Sequence, residues 1–190
     1  MIHAPRFLFA LTVVMSASPA APNPPSDVFR AHHWPGRIQG EANGSAVDLR
    51  LDFYEGRVSG TTGQGPIELD VDAKKGSIRS RGSRALDLRF RLEGSAFLIK
   101  GSVRGSEVRF AVDDDMRTVK GVGGAGGAPV SLTFDLAAGA VSGTADDAPV
   151  ELRYDASSGK LAGTLNGKPV NLALKRLDLR QFLDNLYLFL

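Results

Sequence analysis

Seven times between residues 37 and 176, three apolar residues alternate with polar ones. The triplets are Val47-Leu49-Leu51, Ile67-Leu69-Val71, Leu86-Leu88-Phe90, Val108-Phe110-Val112, Val130-Leu132-Phe134, Val150-Leu152-Tyr154 and Val170-Leu172-Leu174. Such alternation turns one side of a β-strand toward a core and the other toward water. Ahead of each triplet stands an aliphatic residue: Ile38, Val58, Ile78, Ile99, Val119, Val141 and Leu161, at successive spacings of 20, 20, 21, 20, 22 and 20. Two residues on from it comes Gly40, Gly60, Gly101, Gly121, Gly143 or Gly163, with Ser80 at the third copy. A fixed period in this range marks a repeat architecture.

The repeat reads as one β-hairpin. Asn43-Gly44 and Asn166-Gly167 are two-residue hairpin turns, and further turns fall near Lys75-Gly76, Gly123 to Gly127 and Ser158-Gly159. Seven hairpins give about fourteen antiparallel strands in a meander, an all-β domain spanning 37–176. At about 4.8 Å per strand the girth is roughly 67 Å before tilt. A round barrel tilted by about 40° would be about 27 Å across, whereas two facing side-chain layers fill only about 10 Å. The glycines share the inward face and thin the core further. The expected form is therefore a flattened barrel or sandwich, or one with an inserted element.

Residues 177–190 supply a short amphipathic helix. Leu179, Phe182, Leu183, Leu186, Tyr187 and Leu190 fall at helical spacing, with Asp178 as N-cap. Arg180, Gln181, Asp184 and Asn185 gather on the opposite side. A helix filling a lumen should be apolar all round, so this one is expected to close a mouth or lie against a sheet face, completing the core. A membrane-surface or partner-binding helix and a further strand are the alternatives.

The beginning of the chain changes the setting. Arg6, the apolar run Phe7 to Met15 and the small residues Ser16 to Ala21 have the three parts of a secretory signal peptide, with cleavage expected after Ala20. That run is far shorter than the roughly 20 residues that span a bilayer. Residues 21–36 read as a Pro-rich linker and N-terminal segment. A periplasmic or secreted protein results, with the outer membrane as the alternative. Cysteine is absent, so packing and hydrogen bonds rather than disulfides must hold it. With 23 Lys and Arg against 21 Asp and Glu, the charge is near balance and argues against a nucleic-acid partner.

Chemistry-bearing motifs are scarce. His32 and His33 stand beside Trp34-Pro35 outside any catalytic motif, and alternation would point them apart. The stretch from Gly121 to Pro129 lacks the Lys-Ser/Thr of a phosphate loop and precedes a strand, so it reads as a long turn. Asp113-Asp114-Asp115 lacks the staggered ligands of a calcium loop and reads as a solvated turn, as does Asp146-Asp147. No enzymatic activity, cofactor or metal is expected.

Charge along the hairpins says more. Lys74, Lys75, Arg79, Arg81, Arg84, Arg89 and Arg91 stand close together with one acid, Asp87, among them. Glu68, Asp70 and Asp72 can face Arg79 and Arg81 across the ladder. Lys100, Arg104 and Arg109 instead add to Arg89 and Arg91. These five form a candidate basic binding patch for an anionic glycan, a lipid headgroup or an envelope protein. The function expected is a non-catalytic exported scaffold or binding module. The alternatives are a carrier of an apolar ligand inside a wide barrel and a small outer-membrane barrel. Membrane association is not favoured, because about seven residues per strand is short for a span and aromatic girdles are lacking.

Overall fold

The computed structural model describes residues 35–81, 85–123 and 127–190. The expected signal peptide, the linker up to Trp34 with His32 and His33, and the centre of the Gly-rich stretch lie outside the described residues.

Every repeat forms the expected hairpin. In chain order the strands are β1 (Gly36–Ala42), β2 (Ser45–Asp52), β3 (Arg57–Thr62), β4 (Gly65–Asp72), β5 (Ser77–Ser80), β6 (Leu86–Glu93) and β7 (Ala96–Val103). They continue as β8 (Ser106–Asp113), β9 (Thr118–Gly123), β10 (Ala128–Asp135), β11 (Ala140–Ala145), β12 (Ala148–Asp155), β13 (Lys160–Leu165) and β14 (Lys168–Lys175). Each pairs antiparallel with its chain neighbours, and β1 pairs with β14 through Ile38↔Leu174 and Gly40↔Leu172, so the meander closes into a fourteen-stranded barrel. Among the described residues, closure leaves no edge strand to template further pairing. The alternating triplets and the aliphatic positions before them face inward, almost all of them buried.

The two mouths differ because the two kinds of turn differ. At one mouth sit tight turns, including Asn43-Gly44, Arg104-Gly105, Asp146-Asp147 and Asn166-Gly167, each with positive φ at both residues. That is the turn whose twist suits a two-residue hairpin. At the other mouth, all turns but the two-residue Gly94-Ser95 turn after Glu93 have four residues and follow an aspartate that closes the preceding strand. The Asp52, Asp72, Asp113, Asp135 and Asp155 carboxylates each accept backbone N–H bonds from the turn, for example Ala137 N and Ala138 N onto Asp135 Oδ1 at 2.9 and 3.0 Å.

These bonds hold all five carboxylates below the usual range. For Asp52, Asp113 and Asp135 the turn N–H groups are the largest cause. For Asp72 it is the Lys75 side chain, and for Asp155, lowered to about 2, the Ser157 hydroxyl. A carboxylate depressed in the folded state contributes stability above its unfolded value of about 3.9 and loses it as pH falls through the folded value. The melting temperature is therefore expected to be flat above about pH 5 and to fall between about pH 4 and 2. Asp155→Asn should shrink that fall. A melting curve series that declines instead between pH 8 and 5 would contradict this assignment.

The repeat glycine does more than thin the core. At Gly60, φ is +135° and a Cβ would stand 1.9 Å from the Asp48 carbonyl oxygen on the next strand. At Gly121, φ is +155° and the corresponding distance to Arg109 O is 1.7 Å. The strand kinks here and its neighbour's backbone fills the vacated space, a device that lets a sheet bend into closure. The third repeat, with Ser80 in this place, pairs least. β5 has four residues and meets β6 at only Ser77↔Arg89, Ile78↔Leu88 and Arg79↔Asp87.

The space within the barrel is taken by the chain itself. Asp178 caps helix α1 (Leu179–Asp184): its side chain accepts from Gln181 N at 2.8 Å, and Gln181 Oε1 accepts from Asp178 N at 3.0 Å. A 3-10 turn over Leu186–Leu188 follows. Every residue from Leu179 to Phe189 is buried, the polar ones included. At the long-turn mouth, Tyr154 Oη donates to Leu177 O and Arg180 pairs with Asp114. At the tight-turn mouth, Asn43 Nδ2 donates to Phe189 O and Gln64 Nε2 to Leu190 O. Twelve residues at about 1.5 Å rise cover about 18 Å, close to the roughly 20 Å height of eight-residue strands tilted by about 40°. The segment therefore runs through the lumen from mouth to mouth.

This corrects the expectation that a two-faced helix would stay at a mouth or on a sheet face. Its polar side is satisfied largely within the protein. Arg180 pairs with Asp184 one turn on and with Asp114, and Asn185 Nδ2 donates to Gln181 O at 2.8 Å. A charged pair can be buried when its partners come with it. Asp114 is thus a partner of a buried arginine rather than a member of a solvated turn.

Candidate functional site

Alternation fixes what the outer face of β6–β9 presents. In register, Arg89, Lys100, Arg109 and Val122 form one row across four strands, and Arg91, Leu98, Ala111 and Lys120 form the next. Strands about 4.8 Å apart bring the side chains of each row side by side. Like charges directly opposite one another repel, so the Arg89-Lys100-Arg109 row is a local cost to the sheet. All five cations are exposed.

Acids fence this area rather than enter it. The row on one side is Asp87, Ser102 and Glu107, and on the other Glu93, Ala96, Asp113 and Thr118. Arg91 reaches Glu93 at 2.8 Å and Arg109 reaches Glu107 at 3.3 Å, both exposed pairs, which contribute little. Arg89, Lys100 and Lys120 form no ion pair among the described residues. Several cations elsewhere are matched: Arg37 binds Asp48 through two bonds of 2.7 and 2.8 Å, Arg81 meets Asp70 at 2.6 Å, and Arg79 meets Asp87 at 3.6 Å. Arg81 pairs with an acid of the preceding strand as expected from sequence, whereas Arg79, opposite Asp70 in the ladder, pairs with Asp87 on the following strand.

Between the cations lies a depression of about 440 Å³, within the size range of small-molecule sites. Leu98, Ala111 and Val122 line it, each half-buried. Leu98 and Val122 are the only leucine, isoleucine, valine or aromatic residues at outward positions of the described strands. Sequence reading passed over them although the signal is there. In Phe97-Leu98-Ile99 and Val119-Lys120-Gly121-Val122 an apolar residue occupies the polar slot of the alternation.

Of the five residues grouped by sequence, Arg89, Arg91, Lys100 and Arg109 come together, and Lys120 joins them. Arg104 does not. It sits in the β7–β8 turn at the tight-turn mouth, with φ +52°, and its Nη2 donates to Gln64 O at 2.9 Å across the mouth. Proximity in sequence misled here, because Arg104 falls on the turn and lacks the strand's alternation.

The remaining candidates carry less. Asp113 caps its own turn through bonds to Asp115 N and Met116 N, and Asp146 and Asp147 are the two central residues of a tight turn. No group of three or more His, Cys, Asp or Glu able to hold a metal ion occurs among the described residues. Searches of protein-family models, curated proteins and solved structures return no match to this chain.

Proposed function

We propose that this protein is a non-catalytic exported binding module and that its working surface is the outer face of β6–β9, where it captures an anionic component. The observation that carries this reading is the pair of rows holding five cations and no acid, set around an apolar depression and fenced by acidic rows. A row of mutually repelling cations is relieved by an anion, which makes the site a sink for negative charge.

Two other readings lose the feature that motivated them. A carrier needs an open lumen, and here the chain's own residues 179–189 are buried within it. A lipid-embedded barrel turns an apolar band outward, whereas these strands turn their apolar triplets inward and their charges outward.

Titration with tripolyphosphate tests the proposal. Isothermal titration calorimetry is expected to show saturable binding that weakens at least tenfold between 20 and 300 mM salt, as ion release requires. The double variant Arg89→Glu, Lys100→Glu should abolish it while melting as the parent does. Binding that ignores salt, or survives in that variant, would overturn the assignment.

A further inference from the structure

We infer that the site prefers an amphiphile: a single-chain alkyl phosphate, its headgroup on Arg89, Lys100 and Arg109 and its tail over Leu98, Ala111 and Val122. This rests on the anion-binding reading of the same face and narrows its ligand class.

The headgroup follows from the row geometry. Three cations lie directly opposite one another on consecutive strands, about 4.8 Å apart from one to the next. A carboxylate has two oxygens and one charge, enough for two of them. A phosphate monoester carries up to two charges and three outer oxygens, so it can bond to all three and offset more of their repulsion. The acidic rows on either side confine the basic area to two rows of side chains, a height of about 7 Å. An extended polyanion lying along the strands would meet Asp87 and Glu107 or Glu93 and Asp113. A compact headgroup would not.

The tail follows from the two residues that break the rule of the fold. Elsewhere on the described strands, outward positions carry polar, charged, small or proline residues, yet Leu98 and Val122 face outward and are half-buried. Ala111, across from Leu98 and diagonal to Val122, is small enough to leave a depression between them. At about 25 cal/mol per Å² of apolar surface removed from water, covering even 60 Å² is worth about tenfold in affinity. Simple anions forgo that gain.

The test compares octyl phosphate, kept below its micelle concentration, with inorganic phosphate on the full chain. Octyl phosphate is expected to bind at least tenfold tighter and to shift the amide resonances of residues 98, 111 and 122. Leu98→Gln with Val122→Gln should bring the two affinities together without weakening inorganic phosphate. Equal affinities in the parent protein would overturn the amphiphile inference and leave the anionic face standing. If neither phosphate nor tripolyphosphate binds, both readings fall. Binding only to vesicles of anionic phospholipid, with no monomer bound, would mean a membrane surface instead and would also overturn it. Should the double variant fail to fold, the resonance shifts of the parent decide alone, and shifts elsewhere would refute the site.

Discussion

Phe182→Ala is expected to destabilise the barrel by about 3–5 kcal/mol, because it empties the middle of the plug rather than trimming a peripheral helix. Phe182 is fully buried, and its ring lies 5.3 Å from that of Phe189 at a tilt of 41°. Truncation removes the transfer energy of the ring and leaves a void that a closed sheet cannot collapse to fill. For a domain of this size, the loss corresponds to a fall in melting temperature of roughly 6–20 °C. A helix merely resting on one mouth would relax away from the gap. A loss under about 1 kcal/mol would therefore point to a plug that does not fill the barrel.

Gly60→Ala should cost about 2–4 kcal/mol, from a single methyl group at a half-buried strand position. Two effects add at this position. The backbone sits at φ +135°, which side chains rarely adopt, and the new Cβ would stand 1.9 Å from a carbonyl oxygen that is held in the ladder. Gly44→Ala separates the two. Its φ of +76° also disfavours a side chain, but nothing lies within 4 Å of its Cβ position, so the strain alone should cost about 1–2 kcal/mol. Chemical denaturation of both variants measures the difference. Equal losses would mean that strand approach is not what the repeat glycine serves.

The hairpins were legible because period-2 alternation and Asn-Gly turns are local signals, and seven copies in register reinforce one another. The aspartate that ends a strand four residues before a positive-φ residue, as at Asp135 and Gly139 or Asp155 and Gly159, is equally local and was there to be found. The glycine was recognised as small and inward, but its closeness to the neighbouring backbone depends on the paired strand and cannot be read from one strand alone. The plug was misjudged for a similar reason. Its polar residues argued for a solvated face until Asp114, sixty-six residues earlier in the chain, supplied Arg180 with a partner. At the site, the cations were visible in sequence, whereas their rows depended on strand register. Leu98 and Val122 were visible too, as breaks in alternation, and acquire meaning once their outward direction is known.

A filled lumen leaves the outer face as the place to bind. Nuclear Overhauser contacts along residues 177–190 test it most directly. Contacts are expected at both mouths in the same molecule: Leu177 with Tyr154 and Arg180 with Asp114 at one, Phe189 with Asn43 and Leu190 with Gln64 at the other. Contacts confined to the first pair, with residues 186–190 near no strand residue, would describe a lid over an open barrel and contradict it.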